Sequence, residues 1–65
     1  MSESILRLPE VQSRTGLSRS TIYEKLSQTP PQFPAPINLG KRAIGFVESE
    51  VNEWIQERIN ESRAA

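Results

Sequence analysis

A mainly α fold with one small β-hairpin, in the order α-α-β-β-α, is predicted by three features of the chain. Two short helical segments meet at Thr15-Gly16-Leu17-Ser18, and two short apolar runs flank Gly40-Lys41-Arg42. Near the end, Val51, Trp54, Ile55 and Ile59 recur at helical spacing. With 65 residues the chain makes one domain, and a domain this short buries only about 60% of its unfolded surface. Residues 1–4 are expected to form a flexible N-terminus, 5–62 the folded domain and 63–65 a flexible C-terminus.

Ile5-Leu6-Arg7-Leu8 is short and apolar, and is expected to pack the entry to the first helix. Pro9 to Arg14 fits that helix, with Pro9 in the first turn, where a missing N–H costs nothing. Gly16 tolerates a positive φ, so the chain can turn sharply there, and Ser18 can cap the helix that follows. In that second helix Ile22 and Leu26 share a face, with Leu17 and Val11 as partners across the turn. Ser20, Tyr23, Glu24 and Ser27 point the other way. Two short helices joined by a tight glycine turn form a helix-turn-helix pattern, whose second helix enters the DNA major groove, although core helical hairpins share the spacing. Tyr23 fits a base or phosphate contact and equally fits a cover for the core edge.

Residues 28–36 contain four prolines, so neither a helix nor a central strand runs through them. They read as a semi-rigid spacer with Phe33 as its anchor, a proline-rich ligand being the lesser reading. Ile37-Asn38-Leu39 and Ala43-Ile44-Gly45-Phe46-Val47 then predict a β-hairpin, with Ile37, Leu39, Ile44 and Phe46 on its buried face. Lys41 and Arg42 fall at its tip, either as a solvated turn or as a wing on phosphate or the minor groove. The closing helix begins near Glu48 with acidic residues that complement its macrodipole. Trp54 belongs to its core stripe, and Glu50, Glu53, Glu57 and Glu61 to a solvated one.

Composition narrows the function classes. The chain has no cysteine, histidine or aspartate, which removes the usual zinc ligands, the common nucleophile triads and the commonest general base. No enzyme, metal site, cofactor or small-molecule ligand is expected. No apolar run approaches the ~20 residues that span a bilayer, and no signal peptide is read, so a cytoplasmic location is expected. The net charge is zero, but it is split. Residues 1–45 hold Arg7, Arg14, Arg19, Lys25, Lys41 and Arg42 against Glu3, Glu10 and Glu24, six against three, for +3. Residues 46–65 hold Arg58 and Arg63 against five glutamates, for −3. Such asymmetry points to a polyanion partner or to ordinary surface placement.

Helix, turn, helix, proline loop, basic hairpin and acidic helix together resemble a small winged helix-turn-helix DNA-binding domain. Arg7-Leu8-Pro9-Glu10-Val11, Thr15 to Tyr23, Phe33-Pro34, Leu39-Gly40, Arg42-Ala43 and Glu48-Ser49-Glu50-Val51 with Trp54 resemble the AlpA family. These are small prophage-associated transcriptional regulators related to excisionases and, more distantly, to the MerR DNA-binding domain. The resemblance covers residues 5–60. It implies that Ser18, Arg19, Ser20, Thr21 and Tyr23 lie on the recognition helix and that Lys41 and Arg42 form the wing. Glu24 stands where relatives often carry a basic residue, and is suited to a cytosine amino group instead. Phe46 replaces a tryptophan common at the end of the wing, and Gln12 a small residue in the first helix. Double-stranded DNA is the expected partner, with self-association on DNA, an integrase or RNA polymerase as further ones. An excisionase, or an adaptor binding protein through the proline loop or acidic helix, are the alternative functions.

Overall fold

Six side chains form the buried core, and each comes from a different segment: Leu6, Val11, Ile22, Phe33, Phe46 and Val51. The computed structural model describes residues 4–64. Its elements are β1 (Ile5–Leu6), α1 (Leu8–Thr15), α2 (Arg19–Leu26), β2 (Ile37–Asn38), β3 (Ile44–Val47) and α3 (Glu48–Ala64). The expected α-α-β-β-α order is present, preceded by one further strand.

The two short helices are set by their ends. Pro9 lies in the first turn of α1, and Gly16 closes the helix at φ 74°, its N–H donating to the Gln12 carbonyl at 2.8 Å. A side chain at that φ is strained, so the turn needs glycine. Thr15 donates its hydroxyl to the Val11 carbonyl at 2.8 Å and accepts the Leu17 N–H at 3.3 Å, which fixes the exit from the turn. Leu17 and Leu26 pack on the buried cluster beside Val11 and Ile22, as the sequence predicts.

The sheet has the order β1-β3-β2, antiparallel throughout. Ile5 pairs with Val47 and Leu6 with Phe46, so the segment expected only to pack against the first helix is the third strand. The Glu48 N–H donates to the Ser4 carbonyl at 2.8 Å, which ties in a residue expected to be flexible. At the other end α3 continues through Arg63 and Ala64, beyond the expected domain limit at 62. Arg63 in the last turn faces the negative end of the helix dipole, which favours that extension. The rest of both expected flexible ends, residues 1–3 and 65, lies outside the described residues.

Strand register corrects the expected buried face of the hairpin. Ile37 pairs with Gly45 and Asn38 with Ile44, so Ile37 and Leu39 share the face of Gly45, opposite Phe46. They are 40% and 43% exposed, and Ile44 is half-buried. Only Phe46 of the four expected residues is buried. A Cβ at Gly45 would press on the Ile5 side chain and come within 2.9 Å of that of Leu39, so a larger residue there requires those exposed side chains to shift.

The proline segment is anchored as expected. Phe33 meets Phe46 edge-on at 5.7 Å between centroids and Trp54 at 4.8 Å. Trp54 is half-buried at the core's edge, and its indole N–H donates to the Gln32 carbonyl at 2.8 Å. Phe33→Ala is therefore expected to cost about 3–5 kcal/mol, most of the margin of so small a domain. Urea unfolding followed by Trp54 fluorescence checks this.

Candidate nucleic-acid interface

Helix α2 presents its polar face because Ile22 takes the opposite one into the core. Ile22 is fully buried, whereas Ser18, Arg19, Ser20, Tyr23 and Glu24 are exposed. Ser18 is extended at φ −76° and ψ 162°, and its hydroxyl oxygen accepts the Thr21 N–H at 3.2 Å. This cap satisfies one of the free donors at the helix start. Thr21 is half-buried, and its own hydroxyl lies 2.9 Å from Ser18 Oγ. Both hydroxyls thus hold the start of the helix.

Arg19 and Tyr23, one helical turn apart, form a unit. The Arg19 guanidinium lies over the Tyr23 ring at 5.5 Å from its centroid. Such an exposed cation–π pair contributes about 0.5–1 kcal/mol and restrains both long side chains. Tyr23 is 40% exposed and lies outside the buried core cluster. The i, i+4 spacing that makes the stack was legible in the sequence, although the pairing itself needed the structure.

The hairpin tip is a separate surface. Leu39 donates its N–H to the Ala43 carbonyl at 2.8 Å, closing a loop over Gly40, Lys41 and Arg42. Lys41 and Arg42 are exposed, and among the described residues neither makes an ion pair. No hydrogen bond or ion pair joins the tip to α2 among the described residues; both surfaces are positioned through the shared core. Phe46, at the end of the hairpin, is fully buried, so its departure from tryptophan bears on packing.

Among the described residues one ion pair joins the acidic helix α3 to α1, between Arg14 and Glu48 at 3.0 Å. Glu50, Glu53, Glu57 and Glu61 are all exposed. Among the described residues no group of His, Cys, Asp or Glu is arranged to hold a metal ion, and no helix is long and apolar enough to cross a membrane.

Two eight-residue helices around a three-residue turn, followed by a basic hairpin, define a small winged helix-turn-helix protein. The chain belongs to the AlpA family: the family described as "Prophage CP4-57 regulatory protein (AlpA)" matches residues 4–59. It is 41% identical over 58 residues to the "DNA-binding transcriptional activator AlpA" of Escherichia coli K12, covering 83% of each chain. It is 44% identical over 57 residues to "Uncharacterized protein ORF88" of Enterobacteria phage P4, covering 88% of this chain and 62% of that protein. No solved structure matches the chain.

Because Ser18 caps α2 while its hydroxyl also meets Thr21, Ser18→Ala is expected to lower stability by about 1 kcal/mol. Ser18→Asp should recover most of that loss, as read by thermal unfolding in circular dichroism.

Proposed function

We propose that this chain is a sequence-specific, DNA-binding transcriptional regulator of prophage or mobile-element type, without catalytic activity and acting in the cytoplasm. The observation that carries the reading is the exposed polar face of α2, where Arg19 stacked on Tyr23 stands beside Ser20 and Glu24. The name of the relative from Escherichia coli supports it.

In this reading Ser18 and the positive end of α2 approach the phosphate backbone. Arg19, Ser20, Thr21 and Tyr23 meet base edges or the adjoining phosphates, and Glu24 accepts from a cytosine amino group. Lys41 and Arg42 grip the neighbouring backbone or minor groove. The acidic face of α3 turns away from the DNA, since like charge repels it. Arg19, Lys41 and Arg42 supply few phosphate contacts, and about three of them give a salt slope near −3 on logarithmic axes. One copy therefore binds weakly. Occupancy rises through further copies on adjacent sites, or through a partner such as an integrase or RNA polymerase.

Selection of bound fragments from the source organism's own DNA supplies the site, and promoter fragments are expected over attachment sites. On that site, Tyr23→Ala combined with Arg42→Ala should weaken binding by roughly 10- to 100-fold while circular dichroism stays unchanged. Unaltered, salt-sensitive binding by the double variant overturns the assignment of these residues. Absence of binding by the unsubstituted chain to any fragment overturns the DNA-binding reading itself.

A further inference from the structure

Helix α3 borders a groove on each flank, and the two grooves carry opposite charge. On one flank Trp54 and the proline segment border about 530 Å³, with Glu50, Glu53, Glu57 and Arg58 on the helix side. On the other, Ile55 and Ile59 face the end of α1 across about 390 Å³, bordered by Arg14 and Arg63, with Trp54 and Arg58 lining both grooves. With 3.6 residues per turn, Glu50, Glu53, Glu57 and Glu61 fall within about 80° of one another, on the side away from Ile59 and Arg63.

Ion pairs within the chain neutralise only part of this charge. Arg14 is held by Glu48 at 3.0 Å, and Arg58 by Glu61 at 2.9 Å, where Arg58 also covers Trp54. Among the described residues Glu50 and Glu53 on the acidic flank, and Arg63 on the basic one, make no ion pair. Each flank thus offers a groove whose unpaired charge is opposite to that of the other flank.

We propose that the two flanks are the complementary halves of one head-to-tail contact between copies of this chain. The Ile55–Ile59–Arg63 flank of one copy enters the groove that Trp54, Glu50 and Glu53 form on the next. The two flanks lie on opposite sides of α3, so one two-fold contact cannot seat the acidic flank on the basic one at both places. It would set each flank against itself, glutamates against glutamates or arginines against arginines, which is unfavourable. A heterologous contact leaves one flank free on every copy, so it extends into an open row rather than closing as a dimer. The contact itself needs no DNA. Only its use, in coupling copies on adjacent sites, rests on the DNA-binding reading.

The test uses the full chain in sedimentation equilibrium up to roughly millimolar concentration, where weak association is visible. The average mass should rise past the dimer without a plateau and fall with added salt. Glu53→Arg alone and Arg63→Glu alone should each remain monomeric. Mixing the two variants, or placing both substitutions in one chain, should restore association. On DNA, the single variants should keep their one-site affinity and lose a cooperativity of roughly tenfold between adjacent sites. An unsubstituted chain that stays monomeric, a plateau at dimer, or single variants that associate unchanged overturns the proposal. Failure to bind any DNA counts against the DNA-binding reading alone, because sedimentation still judges the contact.

Discussion

Phe46 is the point at which the molecule is tied together. It sits on the central strand, pairs in register with Leu6, meets Phe33 edge-on, and stands one residue before the strand passes directly into α3. A chain of this length has few side chains to bury, so each segment contributes one residue to the cluster around it. That economy also makes the segments interdependent. The turn between α1 and α2, the proline loop and α3 all take their positions from the same six residues. The exposed face of α2 is therefore defined by Ile22 as firmly as by its own polar side chains.

The electrostatics follow from that arrangement. A neutral chain attracts a polyanion only if its charges are sorted in space, and here they are. Arg19, Lys41 and Arg42 stand on exposed surfaces of the amino-terminal two-thirds, while the glutamates line α3. The resulting field orients a bound molecule more than it holds it. The cations are few, Glu24 stands among them, and two of the polar side chains at the helix start are engaged with each other. In the proposed DNA-binding reading, a surface of this kind chooses a site more than it grips it. In that reading additional binding free energy comes from neighbours, and the oppositely charged flanks of α3 are the surfaces proposed to supply it.

Much of this was legible in the sequence because it rests on local chemistry. Gly16, Ser18 and Pro9 dictate where two helices stop and start, and they do so through backbone groups within a few residues. The prolines forbid regular structure over residues 28–36, and the apolar stripe of α3 declares itself by period. Phe33 was legible as an anchor because it is the one large apolar residue in that segment. The candidate interface was readable for the same reason, since Tyr23, Glu24, Lys41 and Arg42 lie on faces set by local turns and helical spacing.

The pairing of distant segments was not legible. Ile5 and Leu6 carry no signal that separates a strand from a packing segment, because their partners Val47 and Phe46 lie some forty residues away. The hairpin alternates correctly in sequence, yet only the register shows that Ile37 stands across from Gly45 and so lies outside. A one-residue difference in register exchanges the two faces of a strand, and no local pattern fixes it. The sequence by itself determined the helices, the turn, the capping and the sorting of charge, all of which act over short stretches of chain. The tertiary structure alone decided the third strand, the face of the sheet that is buried and the two flanks of α3, because these depend on contacts between residues far apart in the chain.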